Sequence, residues 1–326
     1  MDAGRDSHYN RAVKEELREL RPEERSKAEL VMSAVFGPDD SSMNAPGGHR
    51  DPWRDQEHLF GCLVDGMVVS VVHLMRRTAY VRGGQWSFGA IAGVSTLKEF
   101  RGRGYSSRLM RLAADTIRAD GLDFGLLGTD INPFYQKLGW FDVPRTSLAV
   151  SILRPVDAEL SAHVGEGIPW QTLAPIYEAF NTGRPFAVVR APEYWEGWAE
   201  AWFRGATRLL VRDGSQPVAY AIAHPRPEMV VLEEVGWMPD RPDAPRELAD
   251  QILALARSWA KTRIEGEDVT FGLDLTRYLQ RTGVEVTEAA NRYLMAMPSA
   301  KPLDELKAHC RLLEEGGGAF WAGDGF

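Results

Sequence analysis

Arg101-Gly102-Arg103-Gly104-Tyr105-Ser106 is a turn of the kind that holds a phosphate. It follows an apolar, β-prone segment, 86–96, and opens an amphipathic run that closes at Gly121. A helix start leaves backbone N–H groups unpaired, and the aligned peptide dipoles place partial positive charge there. Gly102 and Gly104 let a ligand approach the backbone closely, and Arg101 and Arg103 add charge. Neither a G-x-G-x-x-G dinucleotide fingerprint nor a G-x-x-x-x-G-K-[ST] loop is present, so the turn points to a phosphate without naming the molecule that carries it.

The turn, Arg-x-x-Gly-x-Ser after a strand ending at Val94, resembles the coenzyme A pyrophosphate loop of the GNAT superfamily of N-acetyltransferases. Ser106 departs from that family's last position but stays small. Downstream, Asn132-Pro-Phe-Tyr135-Gln-Lys-Leu-Gly-Trp140 resembles the family's second signature segment. The resemblance implies acetyl-CoA as the cofactor, held by Val94, Ser95, Thr96, Arg101, Gly102, Arg103, Gly104, Tyr105, Ser106 and Asn132. It also implies that the Val94 N–H faces the acetyl oxygen and that Tyr135 is the catalytic acid. A phenol is protonated at neutral pH and suits that role.

The base is open. Ser87–Val94 carries no ionisable side chain where many relatives have a glutamate. Candidates are His73, the Asp39/Asp40 pair, Asp130, and the far end of the chain. The last follows from a closer resemblance, to the Eis-like (enhanced intracellular survival) aminoglycoside acetyltransferases, in which a C-terminal phenylalanine carboxylate serves as base. This chain ends in Phe326 after the flexible Gly316-Gly317-Gly318 arm. It differs from that family in having too few residues after Leu273 for the third, sterol-carrier-like domain.

The elements that must position these residues are legible from turns and periodicity. Asp65-Gly66 and Gly83-Gly84 separate β-prone runs, which predicts hairpins over 59–76 and 78–96. Leu109, Leu112, Ala113 and Ile117 share one face of a helix over 105–120, and a strand is expected over 141–153. After Arg154-Pro155 the order recurs: a helix near 170–181, a strand–Asp213-Gly214–strand hairpin, a long helix over 247–261 and a strand over 268–273. Its counterpart of the phosphate turn, Met238–Pro245, has lost the glycines and gained two acids. The expectation is an α/β (α+β) protein of two tandem GNAT-like domains, each a mixed, mostly antiparallel sheet flanked by helices. Residues 1–155 form the catalytic domain and 156–326 a degenerate copy with a C-terminal arm. The aromatic run Tyr194, Trp195, Trp198, Trp202 and Phe203 reads as core or domain interface.

Net charge is −8, which disfavours sequence-independent nucleic-acid binding and suits cationic substrates, with Asp39 and Asp40 in a polar loop to attract them. Two cysteines without metal-ligand spacing argue against structural zinc and a disulfide framework. No leader or membrane span is expected, so the default location is cytoplasmic. The reading is transfer of an acetyl group to a primary amine of a small cationic molecule, aminoglycoside- or polyamine-like. Alternatives are a lysine or N-terminal acetyltransferase acting on protein or peptide, and a non-catalytic CoA-binding regulatory module. Assembly into a homo-oligomer stays open.

Overall fold

A computed structural model describes residues 13–37, 57–154, 158–266, 273–281, 283–315, 317–319, 321 and 324. The strands are β1 Glu15–Glu19, β2 His58–Val64, β3 Met67–Val81, β4 Gly84–Thr96, β5 Phe124–Gly128, β6 Phe141–Asp142, β7 Arg145–Ile152, β8 His163–Gly165, β9 Thr207–Asp213, β10 Gln216–Pro225, β11 Val230–Trp237, β12 Arg263–Gly266, β13 Val284–Asn291 and β14 Leu294–Pro298. The helices are α1 Arg25–Phe36, α2 Tyr105–Ala119, α3 Asn132–Gln136, α4 Trp170–Asn181, α5 Pro192–Tyr194, α6 Glu200–Trp202, α7 Ala244–Ser258, α8 Leu273–Leu279 and α9 Leu303–Glu314. None is long and apolar enough to cross a membrane.

Two seven-stranded sheets form, ordered β1-β2-β3-β4-β5-β14-β6 and β13-β7-β12-β11-β10-β9-β8. In each, an antiparallel hairpin series leads to one parallel pair, β4–β5 or β11–β12, and then to antiparallel strands. The architecture is therefore the expected tandem one, but the strands are distributed differently. The single strand expected over 141–153 is split. β6 stays in the first sheet, while β7 leaves it and pairs with β12 and β13. The place beside β5 is filled by β14, from near the end of the chain. Each sheet thus has, beside its parallel strand, a strand contributed by the other half of the sequence. Sheet membership changes between Asp142 and Arg145, ahead of the boundary expected at 155. The reason is visible in β7: Leu148 and Val150 are buried in the cluster shared with α4 and α7, while Ser147 and Ala149 are partly exposed.

β3 continues through Thr78 as one long strand, where the sequence suggested two separate hairpins. Its later half is covered by the second half of the chain: Tyr80 N donates to Ala187 O at 2.8 Å and Val189 N to Thr78 O at 2.8 Å. Arg77 of β3 lies 5.5 Å from both the Tyr194 and Trp198 ring centroids. The aromatic run, a π-helical turn Trp195–Ala199 between α5 and α6, is accordingly interface core. α2 buries Leu109, Met110, Ala113, Ala114 and Ile117 against Phe60, Leu74 and Ile91, which fixes its start over the end of β4. The strand expected over 268–273 falls outside the described residues except at the start of α8.

Candidate active site

Two departures from regular pairing build the site. In the β3–β4 ladder, Val71 pairs with Ser95 and His73 with Ala92, so Gly93 and Val94 together oppose Val72. This is a β-bulge, and Gly93 takes φ 57° there, a conformation costly for a residue with Cβ. On the other edge, the parallel β4–β5 ladder ends at Ile91–Leu127. Beyond it the strands diverge and open a cavity of about 360 Å³. Its wall includes Gly93, Val94, Gly128, Thr129, Asp130 and Tyr135.

Residues 97–104 then turn into α2. Gly104 is the N-cap, with φ 77°, and Gly102 has φ 79°. No side chain caps the helix, so its first N–H groups are left for a ligand. The space where a Cβ of Gly102 or Gly104 would lie is open to 4 Å. Thr96 and Ser106 join across the turn, Oγ1 to Oγ at 2.7 Å, and Thr96 also meets the Ser70 hydroxyl at 2.7 Å. Arg101 Nε donates to Thr96 O at 3.1 Å, and Arg103 rests over the Phe100 ring. Tyr105 faces away from the turn: its hydroxyl donates to Glu15 Oε1 at 2.6 Å, tying α2 to β1. These residues fit a pyrophosphate: orphan donors at a helix start, open backbone, and guanidinium groups beside it.

Tyr135 is buried on α3. Burial pushes its phenol up to about 12, against a hydrogen bond with Thr129 that lowers it; the nearby Tyr293 adds to the rise. Tyr293 was not legible as a site residue. It arrives from the β13–β14 connection only because β14 enters the first sheet, where Thr129 N donates to Tyr293 O at 2.7 Å. Gly128 makes room for its ring, since a Cβ there would lie 2.4 Å from Tyr293 Cε1.

Other expected site residues lie elsewhere. Asn132 Nδ2 is committed to Asp142 Oδ1 at 2.7 Å and Arg292 O at 2.8 Å, which locks α3 to the strand exchange. His73 is fully buried one strand from the cavity, with Nε2 3.0 Å from Glu57 Oε2. Burial raises the Glu57 carboxyl, but His73 and then Arg25 outweigh it and leave it below the usual carboxylate range. Glu57 reaches it from just ahead of β2. Asp39, Asp40 and Phe326 lie outside the described residues. The arm before Phe326 is seated on the second sheet's side: Trp321 is wholly buried, with Nε1 donating to Asn181 Oδ1 at 2.9 Å. Asp324 Oδ1 accepts from Arg190 Nε at 2.7 Å and its Oδ2 from the Tyr177 hydroxyl at 3.2 Å.

The turn ahead of α7, the counterpart of α2, differs from the Gly102–Ser106 turn. Residues 238–243 precede α7 without a glycine, and Arg241 is tied to Asp213 and to Gln216.

Residues 16–141 match the acetyltransferase (GNAT) domain family. The first half of the chain is thus a GNAT acetyltransferase domain, and the enzyme class is acyltransferase. No curated protein sequence matches the chain. Among solved structures, the chain is similar to a probable N-acyltransferase from Enterococcus faecalis V583, with TM-score 0.71, 12% identity, and 88% of this chain and 73% of that one covered. It is also similar to Eis1 from Mycobacterium abscessus, with TM-score 0.64, 17% identity, and 87% and 73% covered. A GCN5-related N-acetyltransferase from Anabaena variabilis follows, with TM-score 0.65, 12% identity, and 87% and 72% covered. At these identities the likeness establishes a shared fold, the tandem GNAT one.

Proposed function

We propose that the protein transfers the acetyl group of acetyl-CoA to a primary amine of a small cationic molecule, aminoglycoside- or polyamine-like, by direct attack. The observation that carries this reading is the junction of the β4 bulge, the β4–β5 divergence and the uncapped start of α2, with a buried phenol in the same cavity wall. When bound, acetyl-CoA supplies an activated acyl group. The α2 start and the Gly102–Ser106 turn would hold its pyrophosphate, with Arg101 and Arg103 at the rim. Val94, freed from the regular ladder, would offer its N–H to the acyl oxygen, where negative charge develops during transfer. Tyr135 would supply the proton required by the departing sulfur. Acidic net charge favours a cationic acceptor. The likeness in fold to a GCN5-related N-acetyltransferase is consistent with an amine acceptor.

Gly104→Glu is expected to abolish acetyl-CoA binding. The substitution imposes φ 77° on a residue with Cβ and puts a negative side chain against the pyrophosphate. Calorimetry checks it, and wild-type affinity would refute the assignment. The reaction itself is tested by thiol release from acetyl-CoA over aminoglycosides, polyamines, amino acids and peptides. Turnover with the first two groups supports the reading, and turnover with peptides alone replaces it with the protein acetyltransferase.

A further inference from the structure

To protonate a departing sulfur, Tyr135 must become a phenolate in a buried setting, and burial pushes its phenol up to about 12. A thiol titrates at about 8.5, so the proton moves uphill from phenol to thiolate. Whatever stabilises the phenolate oxygen therefore enters the rate directly.

Thr129 is placed to do this. It is buried, it is the first residue past β5, and it lines the same cavity as Tyr135. Its backbone is pinned by the second unit, with N donating to Tyr293 O at 2.7 Å. Its Oγ1 accepts from Ile131 N at 3.0 Å, which closes the turn into α3. Beyond α3, Tyr135 O accepts from Leu138 N at 2.8 Å and from Trp140 N at 3.2 Å. One short segment is thus held at both ends, and the two side chains are hydrogen-bonded to each other across it. A hydroxyl has a single proton. On Thr129 that proton is not spent on Ile131, whose N–H is the donor there, so it goes to the Tyr135 oxygen. The bond lowers the phenol, as a donor to the charged form does. With its oxygen already accepting, Tyr135 has its own proton left to point into the cavity. Among the described residues, the other titratable groups in that wall are Asp130 and Tyr293. Tyr293 acts in the opposite direction and raises the phenol, and a carboxylate beside a phenolate disfavours it.

We propose that Thr129 is the positioning residue of the acid: its hydroxyl donates to the Tyr135 oxygen, aims the phenolic proton at the departing sulfur and stabilises the phenolate left behind. This rests on the acetyltransferase reading. In the step, the amine nitrogen bonds to the acyl carbon as the carbon–sulfur bond breaks. Tyr135 gives its proton to sulfur and afterwards takes up the one that the acylated nitrogen sheds, while Thr129 keeps its own.

Thr129→Val removes the hydroxyl at nearly constant shape, and Thr129→Ser retains it. With difluorotyrosine at position 135, whose phenol is more acidic, fluorine NMR of the full chain reads the phenol's titration without acetyl-CoA. Thr129→Val is expected to raise that midpoint by about one unit, the scale of a hydrogen bond to a charged group, and Thr129→Ser to return it. In the chain with tyrosine at 135, Thr129→Val should lower kcat about tenfold and leave the KM for acetyl-CoA within about twofold, and Thr129→Ser should restore kcat. A midpoint unmoved by Thr129→Val overturns the proposal, and so does a moved midpoint with wild-type kcat. A loss of kcat that Thr129→Ser does not recover belongs to packing and also overturns it. Absence of thiol release by the wild-type chain with every amine would instead overturn the acetyltransferase reading, whatever the midpoint does.

Discussion

Replacing Tyr135 with phenylalanine is expected to lower kcat for acetyl transfer by about 10²- to 10⁴-fold, the usual contribution of a positioned general acid. Affinity for acetyl-CoA should stay close to wild type, because the pyrophosphate turn is built from other residues. The phenylalanine ring preserves the contact with Phe134 and the packing of α3 near Trp140, and removes only the hydroxyl hydrogen-bonded to Thr129. Burial, the largest influence on this phenol, pushes it up to about 12. The group is therefore protonated throughout the range in which the enzyme would be assayed. The pH dependence follows from that sign. Any fall in kcat below about pH 10 belongs to another group, and Tyr135 loses its proton only as pH rises towards 12. The same shift makes folding stability associated with Tyr135 full below about pH 10, the ordinary phenol value, and declining above it. A kcat–pH profile of wild type and Tyr135→Phe checks both points. An unchanged kcat in the variant would remove the phenol from the mechanism.

Arg190→Met is expected to destabilise the fold by about 3–5 kcal/mol, the cost of leaving buried charges without their partner. Arg190 is completely buried between the Tyr177 and Trp195 rings, with its guanidinium carbon 4.1 and 4.6 Å from their centroids. It donates to Glu234 Oε2 at 2.5 Å and Oε1 at 3.1 Å, and to Asp324 Oδ1 at 2.7 Å. Burial pulls the guanidinium down, but the Asp324 and Glu234 charges outweigh it and keep it protonated. Burial likewise pushes the Glu234 carboxyl up, against Arg190. Removing the cation strands two carboxylates, one on β11 and one on the C-terminal arm. The denaturant midpoint should fall, and the arm should become open to protease. A triple variant, Arg190→Met with Glu234→Leu and Asp324→Leu, should recover much of the loss, since replacing a whole buried ionic group with apolar residues is often neutral. If the single variant kept the wild-type midpoint, the clamp would not hold the arm.

Much of this architecture could be read locally. Asp65-Gly66, Gly83-Gly84 and Asp213-Gly214 are turns whose chemistry marks hairpins, and all three separate paired strands in the structure. The spacing of Leu109, Ala113 and Ile117 placed α2, and the glycines before it placed the turn at its start. What could not be read is long-range pairing. Residues 141–153 look like one strand, yet Val143 and Pro144 carry the chain from one sheet to the other. Nothing near Leu294–Pro298 announces that it will lie beside β5, because its apolar pattern suits either sheet. Tyr293 was invisible as a site residue for the same reason. Three glycines followed by Trp321 mark the arm in the sequence. Its anchor at Arg190 depends on a buried charge pair separated by 134 positions in sequence. His73, a candidate base from the sequence, lies buried on β3 with its ring beside Glu57, a neighbour the sequence did not point to.

The Gly102–Ser106 turn is expected to hold the one molecule of acetyl-CoA that the chain binds, since the turn ahead of α7 has no glycine. Calorimetric titration of the full chain with acetyl-CoA measures this directly. One molecule bound per chain is the predicted result. Two per chain, or none, would contradict it.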